Sequence, residues 1–193
     1  NQLIYSKGNK RISDKTTDKL THYLRYKNDA ILITNKTLNI DNPKLNCRLK
    51  GYEKFSPKRI ILDKNLDINF DSYIMKTAKK DNTIIFYNSI NLKKIKFLKK
   101  KGIILIKSKL DNLNLFDLKK ILKKLYSLEV RTLLVEGGDK LTKNFINKRL
   151  FDQFYMFKST KKLSKAKNHT LFTSHALLNK KYGYNLKFNS KLA

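Results

Sequence analysis

A glutamate followed by two glycines is the feature that most directly suggests chemistry. Glu136, Gly137 and Gly138 lie between a β-forming run, 132–135, and a segment with apolar residues at helical spacing. Paired glycines let a ligand approach the main chain, and the first N–H groups of a helix suit a phosphate. We expect Glu136 to face the crevice at the strand ends. At Gly138 a side chain would intrude on the ligand or demand a disfavoured φ. An ordinary turn with a solvated glutamate fits these residues equally well.

The composition gives little support to other chemistries. There is one cysteine, Cys47, and the three histidines, His22, His169 and His175, have no metal-ligand spacing. A disulfide framework and a multi-thiolate metal site are therefore excluded. The longest apolar runs have only about four or five residues, too few for a membrane span or a signal-peptide core. We expect a cytoplasmic protein with no bound metal and no membrane contact.

The net charge of +29 suggests nucleic acid, but the type of basic residue argues against it. Only six of the 44 basic residues are arginine, and arginine is the residue that base and phosphate readers favour. Lysine, asparagine and isoleucine, all plentiful here, are residues that an AT-rich genome over-supplies. We expect no specific nucleic-acid binding, and the charge would rather attract a small anionic substrate. A non-enzymatic basic nucleic-acid-binding protein is the alternative from another functional class.

Alternating strand and helix patterns predict the scaffold that must position these residues. The predicted helices are 13–26, 92–101, 117–128 and one beginning after Gly138, with Gly102 as a helix C-terminal cap. The predicted strands are 29–34, 58–62, 83–87, 103–106, 132–135 and 154–157, with weaker ones at 171–172 and 184–188. Residues 35–48 are predicted to be a loop. The alternation predicts right-handed crossovers and a mostly parallel sheet in a single α/β domain, 1–193.

Three separated strings of residues carry a family resemblance. They are Ile12-Ser13 with Leu24-Arg25 and the run 29–32, then Thr37-x-x-x-Asp41-Asn42-Pro43-x-Leu45-x-x-Arg48, and finally Leu134-Val135-Glu136-Gly137-Gly138 with the run 150–153. In this order and spacing they resemble the reductase domain of the bacterial bifunctional riboflavin-biosynthesis deaminase/reductase, over essentially the whole chain. The middle string is the specific one.

The resemblance implies a fold, a reaction and partners. The fold is dihydrofolate-reductase-like, a three-layer α/β sandwich with a mostly parallel central sheet. The reaction is the NADPH-dependent reduction of 5-amino-6-(5-phosphoribosylamino)uracil, a phosphorylated pyrimidine, to the ribitylamino compound. The family implies a homodimer with a zinc deaminase domain fused upstream. That domain and the family's first strand are expected to be absent from this chain. A reductase of the same fold acting on a pterin or folate is the nearest alternative.

The resemblance also assigns roles to individual residues. It assigns substrate contacts to Arg25, Leu45, Arg48 and Glu136. Glu136 is also the nearest candidate for a catalytic group, although orienting the substrate suits it better. The cofactor contacts are Ser13, Thr37, Asp41, Gly137, Gly138, Asp139, Lys140, Leu141 and Thr142. A guanidinium fork suits a phosphomonoester, but two surface ion pairs would also account for Arg25 and Arg48.

Several positions leave other interpretations open or depart from the family pattern. Asp41 begins an ordinary turn signal, and Thr37 could equally cap a loop. Arg11 and Asn9 replace an aromatic residue and a serine of the family, and Lys64 replaces another serine. A lysine there would suit the 2′-phosphate of NADPH, although a solvated lysine accounts for it as well.

Overall fold

The computed structural model describes residues 2–3, 15–157, 170–171, 173–174 and 176–178. The chain divides into two compact units. One is His22–Gly137, and the other combines Asn1–Thr21 with Gly138–Ala193. The prediction of a single domain over 1–193 is not tested by this division and stays a prediction.

The elements follow one another as alternating strands and helices. The strands are β1 (Gln2–Leu3), β2 (Ala30–Thr34), β3 (Lys58–Leu62), β4 (Thr83–Tyr87), β5 (Ile104–Lys107), β6 (Leu133–Val135) and β7 (Thr170–Leu171). The helices are α1 (Lys15–Lys27), α2 (Asn35–Asp41), α3 (Tyr73–Lys76), α4 (Leu92–Lys100), α5 (Leu118–Ser127) and α6 (Asp139–Asn147), with a 3₁₀ turn at Glu53–Phe55.

The unit His22–Gly137 is built on a five-stranded sheet in the order β5-β4-β3-β2-β6, and every pairing is parallel. The central strands are near-continuous runs of apolar, mostly β-branched residues, as expected for strands covered on both faces. On one face of the sheet, side chains that include Ile31, Ile61 and Ile85 form a core with Leu38 of α2 and Leu98 of α4. Their neighbours on the other face are also buried. The predicted mostly parallel α/β sheet is confirmed.

The strand order places a topological switch at β2. Strands β3, β4 and β5 lie in sequence order on one side of β2, and β6 lies on the other side of β2. Ala30 pairs with Leu133 and Leu32 with Val135, so the carboxyl ends of both strands lie at the same edge. In open parallel sheets, ligands bind outside the carboxyl ends of strands at such a switch.

Capping residues mark the starts of α4 and α5 and the end of α4. The Asn91 side chain accepts from the N–H of Lys94 at the start of α4, and Asp117 caps α5 in the same way. Gly102 has a φ of 74°. Its N–H bonds to Lys99, and the next N–H bonds to Leu98, which is the Schellman arrangement. The prediction of Gly102 as the C-terminal cap is confirmed.

Three predicted segments differ in the structure. Residues 35–48 do not form a loop throughout, because Thr34 caps a seven-residue helix, α2, at their start. Residues 154–157 are not a strand, and no described strand pairs with them; a short apolar run alone supplies no pairing partner. At 171–172 only Leu171 falls in a described strand, β7. The segment 184–188 lies outside the described residues.

The second unit contains β1, which pairs antiparallel with β7, and α6. Leu141, Phe145 and Ile146 form the buried face of α6, as their spacing predicted. The Asp139 carboxylate accepts hydrogen bonds from Ser174 Oγ (2.6 Å) and Ser174 N (2.9 Å), and from Thr173 N (2.9 Å). It also pairs with Lys143 at 2.6 Å. This carboxylate therefore anchors the start of α6 within its own unit.

Candidate active site

The two strand ends at the switch bring together residues that lie far apart in the sequence. The N–H of Glu136 donates to the carbonyl of Leu32 at 3.0 Å, which extends the β2–β6 ladder by one residue. Glu136 therefore lies beside the last residues of β2. That strand leads directly into α2, which carries Thr37 and Asp41. The second and third of the residue strings that carry the family resemblance therefore lie near the carboxyl ends of neighbouring strands. Glu136 lies at this end of the sheet, as expected.

Thr37 occupies the first turn of α2. The Thr34 hydroxyl accepts from the N–H of Thr37 at 3.3 Å, and the two hydroxyl oxygens are 3.2 Å apart. Thr34 is therefore the cap, and the Thr37 hydroxyl is its partner. A sequence signal for this existed, because Thr34 and Thr37 have the spacing of a cap and the third helical residue.

Asp41 ends α2 and carries a carboxylate that no described residue engages. The residue is exposed overall, yet its carboxyl group is partly withdrawn from water, and this burial raises its pKa. A carboxylate at a helix C-terminus is unfavourably placed with respect to the helix dipole. Asp41 therefore has acceptor capacity for hydroxyl or N–H groups of a ligand.

The turn after α2 contains two residues in the left-handed region, of which the leucine is strained. Asn42 and Leu45 have φ angles of 43° and 51°, in the left-handed region, and for leucine this conformation costs about 1–2 kcal/mol. Asn42 Oδ1 accepts from the Tyr73 N–H at 2.7 Å. The Leu45 side chain is only 1% exposed and belongs to the core. Leu45 can therefore reach a ligand only through its main chain.

Arg25 and Glu136 form a forked ion pair. Nε donates to Oε1 at 2.9 Å, and Nη2 donates to Oε2 at 2.8 Å. The third guanidinium nitrogen, Nη1, donates to the carbonyl of Asn46 at 3.3 Å. The side chains are 10% and 28% exposed, respectively. The pair is therefore largely withdrawn from solvent, unlike the surface ion pair that the sequence left open.

Arg48 is exposed, and its Nη1 donates to Asn46 Oδ1 at 2.9 Å. Asn46 thus joins both arginines, because its carbonyl accepts from Arg25 and its side chain from Arg48. The Nδ1 atom of His22 also lies 3.2 Å from that carbonyl. Sequence reasoning missed Asn46, which occupies an unspecified position between Leu45 and Arg48.

Asp63 is a second residue that sequence reasoning did not assign to the site. It follows β3, is fully buried, and accepts from the N–H groups of Asp67 (2.9 Å) and Ile68 (2.8 Å). Asn35 Nδ2, at the start of α2, donates to it at 3.1 Å. Burial raises the pKa of this carboxyl group, although the two N–H groups lower it. Asp63 thus links α2 to the loop after β3, where Lys64 is half-buried.

The start of α6 offers main-chain groups but does not require glycine. Gly138 is the N-cap, with a φ of −70° and a ψ of 176°, and no side chain caps the helix. The expectation of a disfavoured φ is therefore wrong. A Cβ atom at this position would meet nothing within 4 Å, so the glycine leaves open space at the helix start. The N–H groups of a first helical turn are suited to an anion.

The remaining predicted cofactor residues differ in burial and in the partners of their side chains. Leu141 is buried, so its side chain serves the core. The Asp139 carboxylate is engaged by Lys143 and the 173–174 turn, while Lys140 is exposed and Gly137 and Thr142 are half-buried. Ser13 lies outside the described residues.

Over the described ranges, no helix has the length and hydropathy to cross a membrane, and no three His, Cys, Asp or Glu residues cluster as metal ligands.

Comparison with known proteins identifies the family. The model of the "RibD C-terminal domain" matches residues 5–191. Riboflavin biosynthesis protein RibD of Aquifex aeolicus is 36% identical over 151 residues, 78% of this chain and 40% of that protein. The 2,5-diamino-6-ribosylamino-4(3H)-pyrimidinone 5′-phosphate reductase of the same organism is 27% identical over 145 residues, 74% of this chain and 61% of that protein.

A solved structure agrees with these matches. The riboflavin biosynthesis reductase Rib7 of Saccharomyces cerevisiae has a TM-score of 0.55 and 27% identity over 68% of this chain and 58% of that one. The chain therefore spans between two fifths and about three fifths of the length of these relatives. The predicted relationship is confirmed, and the chain belongs to the RibD C-terminal domain family, whose structures share the dihydrofolate-reductase-like fold.

Proposed function

We propose that the chain catalyses the NADPH-dependent reduction of 5-amino-6-(5-phosphoribosylamino)uracil to the ribitylamino compound. The observation that supports this most is the polar group at the ends of β2 and β6. There the Glu136 carboxylate is partly exposed, and the Arg48 guanidinium is linked to it through Asn46 and Arg25. A phosphorylated, sugar-bearing pyrimidine offers a dianion for a guanidinium and N–H and O–H donors for a carboxylate.

The substrate side of the proposal consists of the turn 42–48 and Glu136. Arg48 is exposed, so its planar fork can receive a phosphate. Leu45 would contribute only main-chain groups, because its side chain is buried. Its backbone is in the left-handed conformation. Both oxygens of Glu136 accept hydrogen bonds from the Arg25 guanidinium. This arrangement suits a carboxylate that accepts hydrogen bonds from the substrate better than one that donates a proton. We therefore propose that Glu136 orients the substrate.

Two features separately support a nucleotide cofactor. The first turn of α6 has main-chain N–H groups, no side-chain cap and open space at Gly138, which fits a phosphate group. On α2, the Asp41 carboxylate and the Thr37 hydroxyl fit ribose or amide groups. We propose that Thr37 and Asp41 contact NADPH, as the family resemblance implies. For the segment 137–142 the resemblance implies the same role, and the proposal rests there on the helix start alone. NADPH would supply a hydride to C1′ of the substrate in its open-chain imine form, in which the bond from C1′ to the ring oxygen is already broken, and the imine nitrogen would take up a proton from water.

The protein's own contribution would be binding and orientation. Fixing the pyrimidine through Glu136 and the phosphate through Arg48 would hold the sugar between them, which is the kind of positioning that lowers a barrier. We assign no general acid in the described chain. The homodimer and the upstream deaminase domain remain predictions from the resemblance, and the cytoplasmic location remains a prediction from the composition.

The names of the relatives favour a second substrate, 2,5-diamino-6-ribosylamino-4(3H)-pyrimidinone 5′-phosphate, because several matched reductases are named for it. The two candidates differ at one ring substituent, an oxo or an amino group. A turnover assay with each compound, against NADPH and NADH, separates them. We expect preference for NADPH and for the uracil compound. Faster turnover of the diamino compound would reassign the substrate, and turnover of neither would reject the function.

A further inference from the structure

We propose that one face of α2 positions the residues that the opposite face offers to the cofactor. This asparagine face carries Asn35 and Asn39 and continues to Asn42, the residue that caps the helix C-terminus, because residues at i, i+4 and i+7 share one face of a helix. Thr37 and Asp41 each follow one of these asparagines by two residues, which is a little over half a helical turn. The inference rests on the proposed function, in which Thr37 and Asp41 contact NADPH.

Asn39 makes the central contact of the asparagine face, with the loop after β3. Its Nδ2 donates to the carbonyl of Asp67, and its Oδ1 accepts from the N–H of Asn69, both at 2.8 Å. The side-chain amide thus binds the main chain on both sides of Ile68, in the manner of one rung of a β-ladder. Because the donor and the acceptor of the amide are both used, any sliding or turning of α2 against this loop would break two hydrogen bonds.

The two ends of α2 are held by the other asparagines. At the start of the helix, Asn35 Nδ2 donates to the Asp63 carboxylate at 3.1 Å. At its end, Asn42 Oδ1 accepts from the N–H of Tyr73, the first residue of α3, at 2.7 Å. The asparagine face therefore ties α2 along its whole length to the segment 63–73.

Apolar packing does little to fix the rotation of α2, because Leu38 is the only buried residue of this seven-residue helix. The loop that the asparagine face binds is, in contrast, anchored from within. The buried Asp63 carboxylate accepts from the N–H groups of Asp67 and Ile68, and Leu66 is fully buried. The asparagine face thus connects a lightly packed helix to a fixed loop.

This connection matters for a ligand because binding groups must be held within about 0.5 Å of their productive positions. The Asp41 carboxylate and the Thr37 hydroxyl belong to a helix with one apolar anchor, so the amide contacts on its other face supply that precision. Loss of the Asn39 contacts would let α2 shift and carry both groups with it. The asparagines would therefore act on the cofactor only through the placement of α2.

The test measures the Kd for NADPH and the melting temperature of Asn39→Ala, with Asn82→Ala as the matched control. Asn82 also binds the main chain through both groups of its amide, donating to the Thr77 carbonyl and accepting from the N–H of Lys79. It lies at the opposite end of the sheet, just before β4, and it also accepts from Arg59. Both variants should lower the melting temperature by a few degrees. Only Asn39→Ala should raise the Kd for NADPH, by about tenfold.

Two further variants connect this effect to Asp41. Asn39→Asp changes the size of the side chain little and keeps the acceptor for the N–H of Asn69, but it places a carboxylate oxygen against the Asp67 carbonyl. It should weaken NADPH binding as Asn39→Ala does. In an Asp41→Ala background, Asn39→Ala should raise the Kd by clearly less than tenfold, because one of the groups that it displaces is already gone.

The inference is wrong if folded Asn39→Ala binds NADPH normally, if Asn82→Ala loses as much affinity, or if the loss is undiminished in the Asp41→Ala background. If Asn39→Ala does not fold, Asn39→Asp takes its place. A wild-type chain that binds no NADPH would overturn the inference together with the cofactor assignment. A chain that binds NADPH but reduces neither pyrimidine would reject the proposed function alone, since the titrations require no pyrimidine and decide the inference without it.

Discussion

Two buried arginines lie at opposite ends of the parallel sheet and have different partners. Arg25 pairs with a carboxylate at the carboxyl ends of β2 and β6. Arg59, near the amino end of β3, donates only to neutral acceptors, which are the Thr83 and Thr77 hydroxyls, the Thr77 carbonyl and the Asn82 side chain. Burial lowers the pKa of Arg59 to about 10, although the Tyr73 hydroxyl opposes this shift.

The degree of burial does not separate the two residues, since they are 9% and 6% exposed. The partners separate them. The acceptors of Arg59 all belong to the segment 77–83, so its guanidinium fastens the chain between α3 and β4 to β3. The acceptors of Arg25 lie on β6 and on the turn 42–48, where the substrate is proposed to bind. We therefore expect Arg59 to serve stability, and Arg25 to serve the proposed site.

The largest expected effect is on stability, at Arg59. Arg59→Ala removes four hydrogen bonds, deprives the hydroxyl of the buried Thr83 of its donor and leaves the space of the buried side chain unfilled. We expect the free energy of unfolding to fall by about 3 kcal/mol or more, measured by denaturant titration. The turnover of the protein that remains folded should be unchanged. A selective loss of turnover in a fully folded variant would contradict the division of roles.

Arg48→Lys should affect the site with little effect on stability. Lysine keeps the charge but loses the bidentate fork, so we expect the KM for the substrate to rise about tenfold, with NADPH affinity nearly unchanged. Arg131→Lys is the matched control. Arg131 is also exposed and donates to the Tyr126 carbonyl, so this change should leave both ligands unaffected. If Arg48→Lys weakens both ligands equally, Arg48 is structural.

Gly138→Val tests the start of α6. The ordinary φ of −70° and the free space around its Cβ position predict a change in stability of no more than about 1 kcal/mol. NADPH binding should nevertheless be abolished, because the side chain would occupy the space proposed for a phosphate. Gly51→Val is the control: its φ of 84° predicts destabilisation with normal NADPH affinity. Normal binding by Gly138→Val would remove this turn from the site.

Asp139 extends the comparison to a carboxylate that we expect to be structural. Burial tends to raise its pKa, but hydrogen bonds from Lys143, Ser174 and Thr173 outweigh this and hold the pKa at about 2. Because the ordinary value is 3.8, its stabilising contribution is present above about pH 4 and is lost as the pH falls towards 2. Thermal melts from pH 6 to 2 should show a smaller acid loss for Asp139→Asn than for the wild type. Equal losses would contradict this role.

The smallest expected effect concerns the excess lysine. If these residues are compositional, the protein should bind duplex DNA at physiological salt no better than non-specifically, with a Kd of about 10⁻⁴–10⁻⁶ M. A much lower Kd, measured by fluorescence anisotropy, would favour the alternative of a nucleic-acid-binding protein.

The sequence predicted what local patterns determine. The apolar runs located β3 and β4 to the residue, and Gly102 marked the end of α4. Long-range pairing was beyond local patterns, because Arg25 and Glu136 lie 111 residues apart and meet only through the β2–β6 pairing. The burial of the Leu45 side chain could not be predicted from local patterns either. It depends on the left-handed backbone conformation of Leu45, which directs the side chain into the core.

The proposed reduction is tested most directly by hydride transfer from NADPH deuterated at the reactive position of nicotinamide C4. After incubation with 5-amino-6-(5-phosphoribosylamino)uracil, mass spectrometry of the product locates the label. We predict one deuterium at C1′ of the ribityl chain, and none when Glu136→Gln replaces the wild-type chain under conditions of limited turnover. An unlabelled product, or unchanged substrate beside intact NADPH, would contradict the proposed reaction.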